Sequence, residues 1–555
     1  MVSSRGVAVV LLAFLIAGPA FGAELSLTHL YPVAAQQGTT ITVAAAGKVE
    51  PWPPQVWIDT PGITFSPTPI TGIFNVEIAP DAAPGPHLVR LFNEQGASAP
   101  CFFIVSRQPE LRDAEPNDDF KLPQQVAALP ATISGRLDKT GDVECFAVAL
   151  KQGQTLVAWV EAYVLGSNCD ALLRIVDSAG RVLSFNHDGR NLDPFLAWKA
   201  PRDGTFIVQL MAFAYPAGSS VQFTGGEGCV YRLHLTSGPF VRFTLPLAAR
   251  SGTKSALRLV GWNLPGGEAE LDANQMCAGS AVAPALWAGI EWMQPLTISA
   301  LAETMEHEPN DVTNTAQTVD VPSAVTGQVN PAGDEDRFVF TAAKQRAYDF
   351  QLTGARVGSP LDAWLRIEDA TGKELVHNDD AAGSRDPRLT WIAPSDGTFT
   401  VAIGDVTHRG GDDFVYRLTI AAAEPSVRAT TATHAVSIEP GKTAELKVAA
   451  KRTSGFARKL QLVAKNLPDG VSASPVEVPE KDGEITLKLA AEPTAAPAGR
   501  PFALVLQEIE TGHEHRVRYP MVATSEDNGV PQGYSELVIE FCEQPWITVT
   551  TGTVK

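Results

Sequence analysis

A segment that begins Glu115-Pro116-Asn117-Asp118 returns as Glu308-Pro309-Asn310-Asp311, and the hundred or so residues after it return as well. Asp170 to Gly189 reads DALLRIVDSAGRVLSFNHDG, and Asp362 to Ala381 reads DAWLRIEDATGKELVHNDDA; ten of these twenty positions agree. Asp193 to Leu210, DPFLAWKAPRDGTFIVQL, faces Asp386 to Ile403, DPRLTWIAPSDGTFTVAI, with eleven of eighteen in common. Both copies close on Tyr-Arg-Leu, at Tyr231 and Tyr416. Each copy is long enough for one small domain, so each has to bury a core of its own. A chain of 555 residues built this way is an array of domains rather than a single globule.

Inside a copy the pattern is that of strands and tight turns. Leu172 to Val176 is a β-branched and aliphatic run, Asp177-Ser178-Ala179-Gly180 a turn, and Val182-Leu183-Ser184 the returning strand. Asp369-Ala370-Thr371-Gly372 repeats the turn. Asp203-Gly204 and Asp396-Gly397 each stand before Thr-Phe-x-Val, which is a hairpin or tight-turn signal. Residues 112–238 and 303–423 are therefore expected to be two-sheet β-sandwiches or jelly rolls. Residues 23–108 show short strands, such as Ile41-Thr42-Val43 and His87 to Leu91, broken by Pro61-Gly62 and Pro84-Gly85, and predict an Ig-like sandwich. Residues 239–302 repeat that first unit in shortened form. Tyr31-Pro32-Val33-Ala34-Ala35 matches Leu245-Pro246-Leu247-Ala248-Ala249, and Gly38 and Gly47 match Gly252 and Gly261 at one constant offset. Residues 424–555 read as a third kind of Ig-like sandwich, with Leu537 to Phe541 and Trp546 to Val549 as added strands. The fold class is all-β, a tandem of β-sandwiches.

Arg5, the apolar run Val7 to Ala17 and the small residues up to Ala23 have the form of a secretory signal peptide, residues 1–22, cut after Gly22 or Ala23. No lipid-attachment cysteine stands after it, and no other run is long enough for a membrane span. A secreted or envelope location is the expectation. Asp plus Glu number 62 against 43 Lys plus Arg, which argues against nucleic acid or an anionic membrane as partner. The acidity suits a chain that collects cations, and equally one that needs only solubility. Six cysteines include no Cys-x-x-Cys, which excludes zinc ribbons and thioredoxin-type redox chemistry. Cys145, Cys169 and Cys229 lie in the first copy and none lies in the second. Cys169 with Cys229 is the pair singled out for a disulfide, as an addition to a core that the second copy forms without it.

Four motifs recur in the same order: Glu-Pro-Asn-Asp, Gly-Asp-x-Asp/Glu-x-Phe, Asp-x-x-Leu-Arg-Ile with Asn-x-Asp after it, and Pro-x-Asp-Gly-Thr-Phe-x-Val. In this order each copy resembles the bacterial pre-peptidase C-terminal (PPC) domain, a fold also found in the collagen-binding domains of clostridial collagenases. The units that precede the copies resemble IPT/TIG-type Ig-like domains, on weaker motifs. The whole layout resembles large secreted proteins of planctomycete-type bacteria. The resemblance implies a β-sandwich accessory domain of the kind that stands beside secreted peptidases, often with calcium in its N-terminal segment. Carried onto this sequence, the ligand set is Glu115, Asn117, Asp118, Asp142 and Glu144 in the first copy. In the second it is Glu306, Glu308, Asn310, Asp311, Asp334 and Asp336. Carboxylate and amide oxygens in that number are what Ca²⁺ takes. In an extended segment Glu-x-Asn points both side chains to one side. Glu144 stands where the second copy has Asp336, and Asp113 where it has Glu306, which places the first site's affinity in question. The plainer alternative is that Glu-Pro-Asn-Asp is a solvated turn capping a strand. Asn186, Asp188, Asn378 and Asp380 are further oxygen donors, although such residues in loops more often bond their own backbone.

No catalytic signature is present. There is no Gly-x-Ser-x-Gly, and His513-Glu514-His515 lacks the spacing of a zincin helix and reads as a solvated strand face. Ser251-Gly252-Thr253-Lys254 falls on the turn that Gln37-Gly38-Thr39-Thr40 fills in the first unit. Three functional readings remain. They are a non-catalytic envelope scaffold or adhesion protein stiffened by calcium, a binding module for polysaccharide or protein fibres that serves a secreted peptidase, and a cryptic hydrolase whose carboxylates meet only in space.

Overall fold

The computed structural model describes residues 25–189, 192–214, 222–282, 291–292, 296–381, 384–524 and 536–551; the expected signal peptide lies outside them. Within these the chain is strand and turn, with two single-turn 3₁₀ helices at Tyr163–Leu165 and Ala355–Val357 and no α-helix. Among the described residues no helix is long and apolar enough to cross a membrane.

Each copy is a pair of five-stranded sheets. In the first copy one sheet runs Gln124–Gln125, Glu144–Leu150, Gly204–Ala214, Cys169–Val176, Val182–Asn186. The other runs Phe195–Lys199, Thr155–Glu161, Val230–Thr236, Ala131–Arg136, Glu110–Arg112. The second copy lays its strands in the same two orders, from Gln317–Thr318 to Glu374–Asn378 and from Arg388–Ile392 to Glu303–Met305. In both, a short strand entering from the preceding unit adds in parallel to one sheet edge, Glu110–Arg112 beside Ala131–Arg136 and Glu303–Met305 beside Ser323–Gln328. Side chains alternate across the pleat. Phe146, Val148 and Leu150 from one sheet therefore meet Tyr231, Leu233 and Leu235 from the other in one buried cluster. Phe338 and Phe340 meet Tyr416, Leu418 and Ile420 in the second copy.

The unit at 25–108 packs a sheet containing Thr40–Ala46 and Ile73–Ile78 on one containing Gly85–Phe92 and Cys101–Ser106. The shorter unit between the copies repeats its entry. Ala34–Gln36 pairs in parallel with Cys101–Ser106, and Ala248–Arg250 pairs in parallel with Leu296–Ser299. Gly38 and Gly252 hold the same left-handed turn, both at φ +71. A β-carbon on Gly47 would strike the carbonyl of Ser26, and one on Gly261 that of Phe240, two positions related by the same offset. The C-terminal unit joins Glu536–Cys542 to Glu514–Thr524 and Trp546–Val549 to Ala435–Ile438.

Neighbouring units are packed, not merely strung. Val157 and Phe240 share a buried cluster with Trp159, Phe195 and Trp262, which welds the first copy to the shorter unit. Phe243, Leu245, Leu247 and Val415 do the same between that unit and the second copy. The first unit also meets the last. Arg90 is fully buried, donating to the carbonyls of Ser98 (2.9 Å) and Gln544 (3.4 Å) and lying 3.5 Å from Cys542 Sγ. The buried Trp546 stacks obliquely on Phe92 with centroids 4.6 Å apart.

Cys169 and Cys229 are free, buried neighbours in this structure. Asn168 N donates to Gly228 O at 2.9 Å and Cys229 Sγ lies 3.8 Å from Asn168 O, so the strands that carry the pair singled out from sequence are adjacent. Leu361 and Phe414 stand at the matching positions of the second copy.

Trp546→Ala is expected to cost about 3–5 kcal/mol, as for other large buried aromatics, and to open the contact between first and last units. Calorimetric unfolding and protease accessibility of residues 85–92 check both.

Candidate metal centres

The strand alternation that builds each core also carries an acid into it. Glu144 begins the strand Glu144–Leu150 in phase with Phe146 and Val148, and Asp336 lies in phase with Phe338 and Phe340. Both carboxyl groups are fully buried. From the opposite sheet Tyr231 and Tyr416 arrive in phase with their own core leucines, so acid and phenol face each other at one end of the sandwich. Gly135 and Gly327 leave room for the tyrosine rings; a β-carbon on either would overlap the phenol, and on Gly327 the Glu306 carboxylate also. The Glu-Pro-Asn-Asp segment closes this end.

In the second copy the oxygens gather in two groups that share a member. Carboxylate oxygens of Glu306, Glu308 and Asp336 lie within 4.8 Å of one another, as do those of Glu308, Asp311 and Asp334. Tyr416 Oη stands 2.8 Å from Asp336 Oδ2 and 3.1 Å from Glu306 Oε2. It has one proton for two carboxylates. Glu306 Oε1 accepts from Gln328 N at 2.6 Å and Asp334 Oδ2 from Asn330 N at 2.8 Å. Asp336 Oδ1 and both amide atoms of the fully buried Asn310 have no partner. Asn310 N donates to Glu308 Oε2 at 2.9 Å.

The first copy gathers Glu115, Asp118 and Asp142 within the same 4.8 Å. Asn117 is buried, donates through Nδ2 to Asp113 at 2.8 Å and leaves its Oδ1 unpartnered. Neither oxygen of Glu144 has a donor in bonding geometry, and Tyr231 Oη has no partner. The Asp142 Oδ2 accepts from Asp138 N at 2.6 Å while Oδ1 lies 3.5 Å from Lys139 Nζ.

Eight of the eleven expected ligands converge in these groups, Glu115, Asp118 and Asp142 in the first copy and Glu306, Glu308, Asp311, Asp334 and Asp336 in the second, whereas Glu144 is not among the convergent carboxylates; nor is the entry segment the extended strand expected from the sequence. The segment turns, so that Glu115 is exposed and Asn117 buried, with Glu115 Oε2 accepting from Asn117 N at 2.9 Å. Tyr231, Tyr416, Gly135, Gly327 and Lys139 are the participants that motif reading passed over. The recurrence of Tyr-Arg-Leu in both copies was the available signal for the first two. Asn186 and Asn378 are not cation donors here, since each Oδ1 accepts a backbone N–H, from Phe195 at 2.9 Å and Arg388 at 3.1 Å. His513 and Glu514 are exposed, as a solvated strand face requires, and the half-buried His515 lies 3.1 Å from Glu508.

Burial has an electrostatic consequence. Desolvation first, then repulsion from Glu306 and Asp334, pushes the Asp336 carboxyl up to about 9. Burial likewise lifts Glu306 to about 8, Asp334 to about 6, Asp142 to about 6 and Glu144 to about 10, the last with Asp113 as the repelling neighbour. At neutral pH Glu144, Asp336 and Glu306 therefore favour their protonated forms unless a cation takes the proton's place. A metal that replaces the protons satisfies the oxygens at once, and the donor set, all oxygen with an amide among the carboxylates, fits a hard divalent ion such as Ca²⁺.

No family model matches the chain. A stretch of 98 residues is 31% identical to a probable subtilase-type serine protease of Deinococcus radiodurans. That stretch is 17% of this chain, and the chain spans only 14% of that protease's length. Among solved structures, the pre-peptidase C-terminal domain of a Bacillus anthracis collagenase aligns over 99% of its own length and 21% of this chain, at 11% identity and a TM-score of 0.17. The N-terminal eight Ig domains of Down Syndrome Cell Adhesion Molecule align over 58% of that chain and 90% of this one, at 8% identity and a TM-score of 0.17.

Because the native carboxyls titrate above their unfolded values, the folded chain holds more protons than the unfolded chain through the intervening pH range. Stability in chelator is therefore expected to fall as pH rises from about 4 to about 9. Calcium is expected to flatten that slope, releasing protons on binding at neutral pH. Melting curves with and without calcium, and calorimetric titration in two buffers of different ionisation enthalpy, measure this. Gly327→Ala is expected to cost about 1–3 kcal/mol by overpacking and to remove the calcium response of the second copy, read by urea unfolding.

Proposed function

We propose that this protein is an exported, non-catalytic multidomain β-sandwich protein whose two PPC-like units bind calcium at their entry segments and are stiffened by it. It serves as an envelope scaffold or adhesion protein. The observation that carries this reading is the second centre, where Glu306 and Asp336 compete for one phenol proton while the side-chain amide of Asn310 and Asp336 Oδ1 have no hydrogen-bond partner. Glu306 comes directly after Glu303–Met305, the strand through which the chain enters the unit from its neighbour. A cation there would tie the entry segment to the sandwich core and fix the angle between units. The buried carboxyls are duplicated and closed in by tyrosine and backbone, an arrangement suited to holding an ion and not to admitting a substrate.

A binding role toward polysaccharide or protein fibres would favour a row of exposed aromatic side chains. Among the described residues the strongly exposed large aromatics are Phe185 and Phe541, in different units. That favours the scaffold over a sugar-stacking surface.

Calcium at a hundredfold excess over its dissociation constant is expected to stabilise the chain by about 2.7 kcal/mol per site. EDTA should lower the melting temperature and expose residues 303–311 to protease. The double change Glu308→Gln with Asp311→Asn should abolish the effect in the second unit. Identical melting and proteolysis in calcium and in EDTA would refute the reading.

A further inference from the structure

The two centres differ in one respect that the shared motifs conceal. In the first, the ammonium of Lys139 lies 2.8 Å from Asp118 Oδ2 and 3.5 Å from Asp142 Oδ1. These are two of the three residues whose carboxylate oxygens converge there. The loop Lys139-Thr140-Gly141-Asp142 corresponds to Pro331-Ala332-Gly333-Asp334, so the second centre has proline at this position. Arg337 lies beside Asp311, but its hydrogen bonds do not go to the convergent carboxylates. It donates to the carbonyl of Asp311 and to the carboxylates of Glu335 and Glu368, outside the convergent groups. Cys145 stands at the position of Arg337 in the first copy, with its Sγ 3.6 Å from the matching carbonyl of Asp118.

We propose that Lys139 is a built-in competitor for the cation of the first centre, so that the two duplicated sites have unequal affinity and fill in sequence, the second copy first. This rests on the calcium reading above. The first centre retains the marks of a metal site, since Asn117 Oδ1, Asp142 Oδ1 and both oxygens of Glu144 are buried without a hydrogen-bond partner. An ammonium is monovalent and touches only Asp118 and Asp142, so it offsets one of their two charges and leaves the Glu144 end unsatisfied. A divalent ion entering the same group must displace it or bind against its repulsion. Lys139 can yield, because its side chain is 58% exposed and its ion pair lies at the surface, where such pairs contribute little. At the matching position of the second centre Pro331 offers no ammonium, so the ion meets Glu308, Asp311 and Asp334 without that competitor. The result is a graded response. At low calcium only the second unit is stiffened, and the joint between the first unit and its PPC-like neighbour stiffens when calcium is abundant.

The test uses the full mature chain. Calorimetric calcium titration of the wild type should resolve two classes of site. The Glu308→Gln, Asp311→Asn chain isolates the weaker site of the first unit. Adding Lys139→Gln or Lys139→Met to that background should tighten calcium binding by about tenfold or more, while Lys139→Arg, which keeps the charge, should leave it weak. Circular dichroism and melting in EDTA establish that each variant is folded, and with two neutral replacements at an exposed position one folded variant suffices. If both neutral variants bind calcium no more tightly than the background chain, or if the wild-type sites are of equal affinity, the competitor role is overturned while the calcium reading stands. If no chain binds calcium, the reading beneath it fails instead.

Discussion

The constraint on which this molecule turns is the cost of a carboxylate inside a sandwich. Glu144 and Asp336 occupy inward positions of strands whose next inward residues are phenylalanines, and nothing in strand geometry lets an inward residue point elsewhere. An isolated ionised carboxylate there is prohibitively expensive. In the second copy Asp336 meets a phenol from the facing sheet, and in both copies the buried acid lies among further acids, with its proton affinity raised. Each sandwich therefore has a closed apolar body and one polar end, and that end is where the neighbouring unit enters.

A cation bound at the joint, as proposed, would couple local chemistry to long-range shape. The units already share apolar seams through Phe240 and Trp262 on one side and Phe243, Leu245 and Val415 on the other. The first and last units meet through Arg90, Phe92 and Trp546. The seams fix which faces touch. An ion at the entry segment would restrict the remaining freedom of the linker, since the residues that bind it are the linker. Duplication preserved this arrangement while one lysine changed the charge balance of a single copy.

The sequence was a good guide where one residue type answers one backbone need. Gly38, Gly47, Gly252 and Gly261 recur because a left-handed turn and a close strand approach exclude a β-carbon, and those two requirements repeat in both short units. The Asp-Gly turns and β-branched runs yielded strands for the same local reason. The convergence of acids was also legible, because acids at fixed spacing in both copies come from segments that the fold brings to one end of each sandwich. The direction of individual side chains was not. An extended segment would hold Glu115 and Asn117 on one side, and the turn sends one outward and the other inward.

What the sequence determined by itself is the all-β class, the duplicated order of strands and the set of acids at the entry of each copy, because alternation and turn chemistry are local and survive without tertiary context. Tertiary structure decided the rest. Tyr231 and Tyr416 stand far along the chain from the acids they face, and only the closing of one sheet on the other brings phenol and carboxyl together. Lys139 resembles any surface lysine until the loop folds its ammonium onto Asp118 and Asp142. The contact between first and last units rests on Arg90 reaching Cys542 and Gln544 across almost the whole chain. Each of these pairings depends on distance in space between residues that sequence separation does not relate.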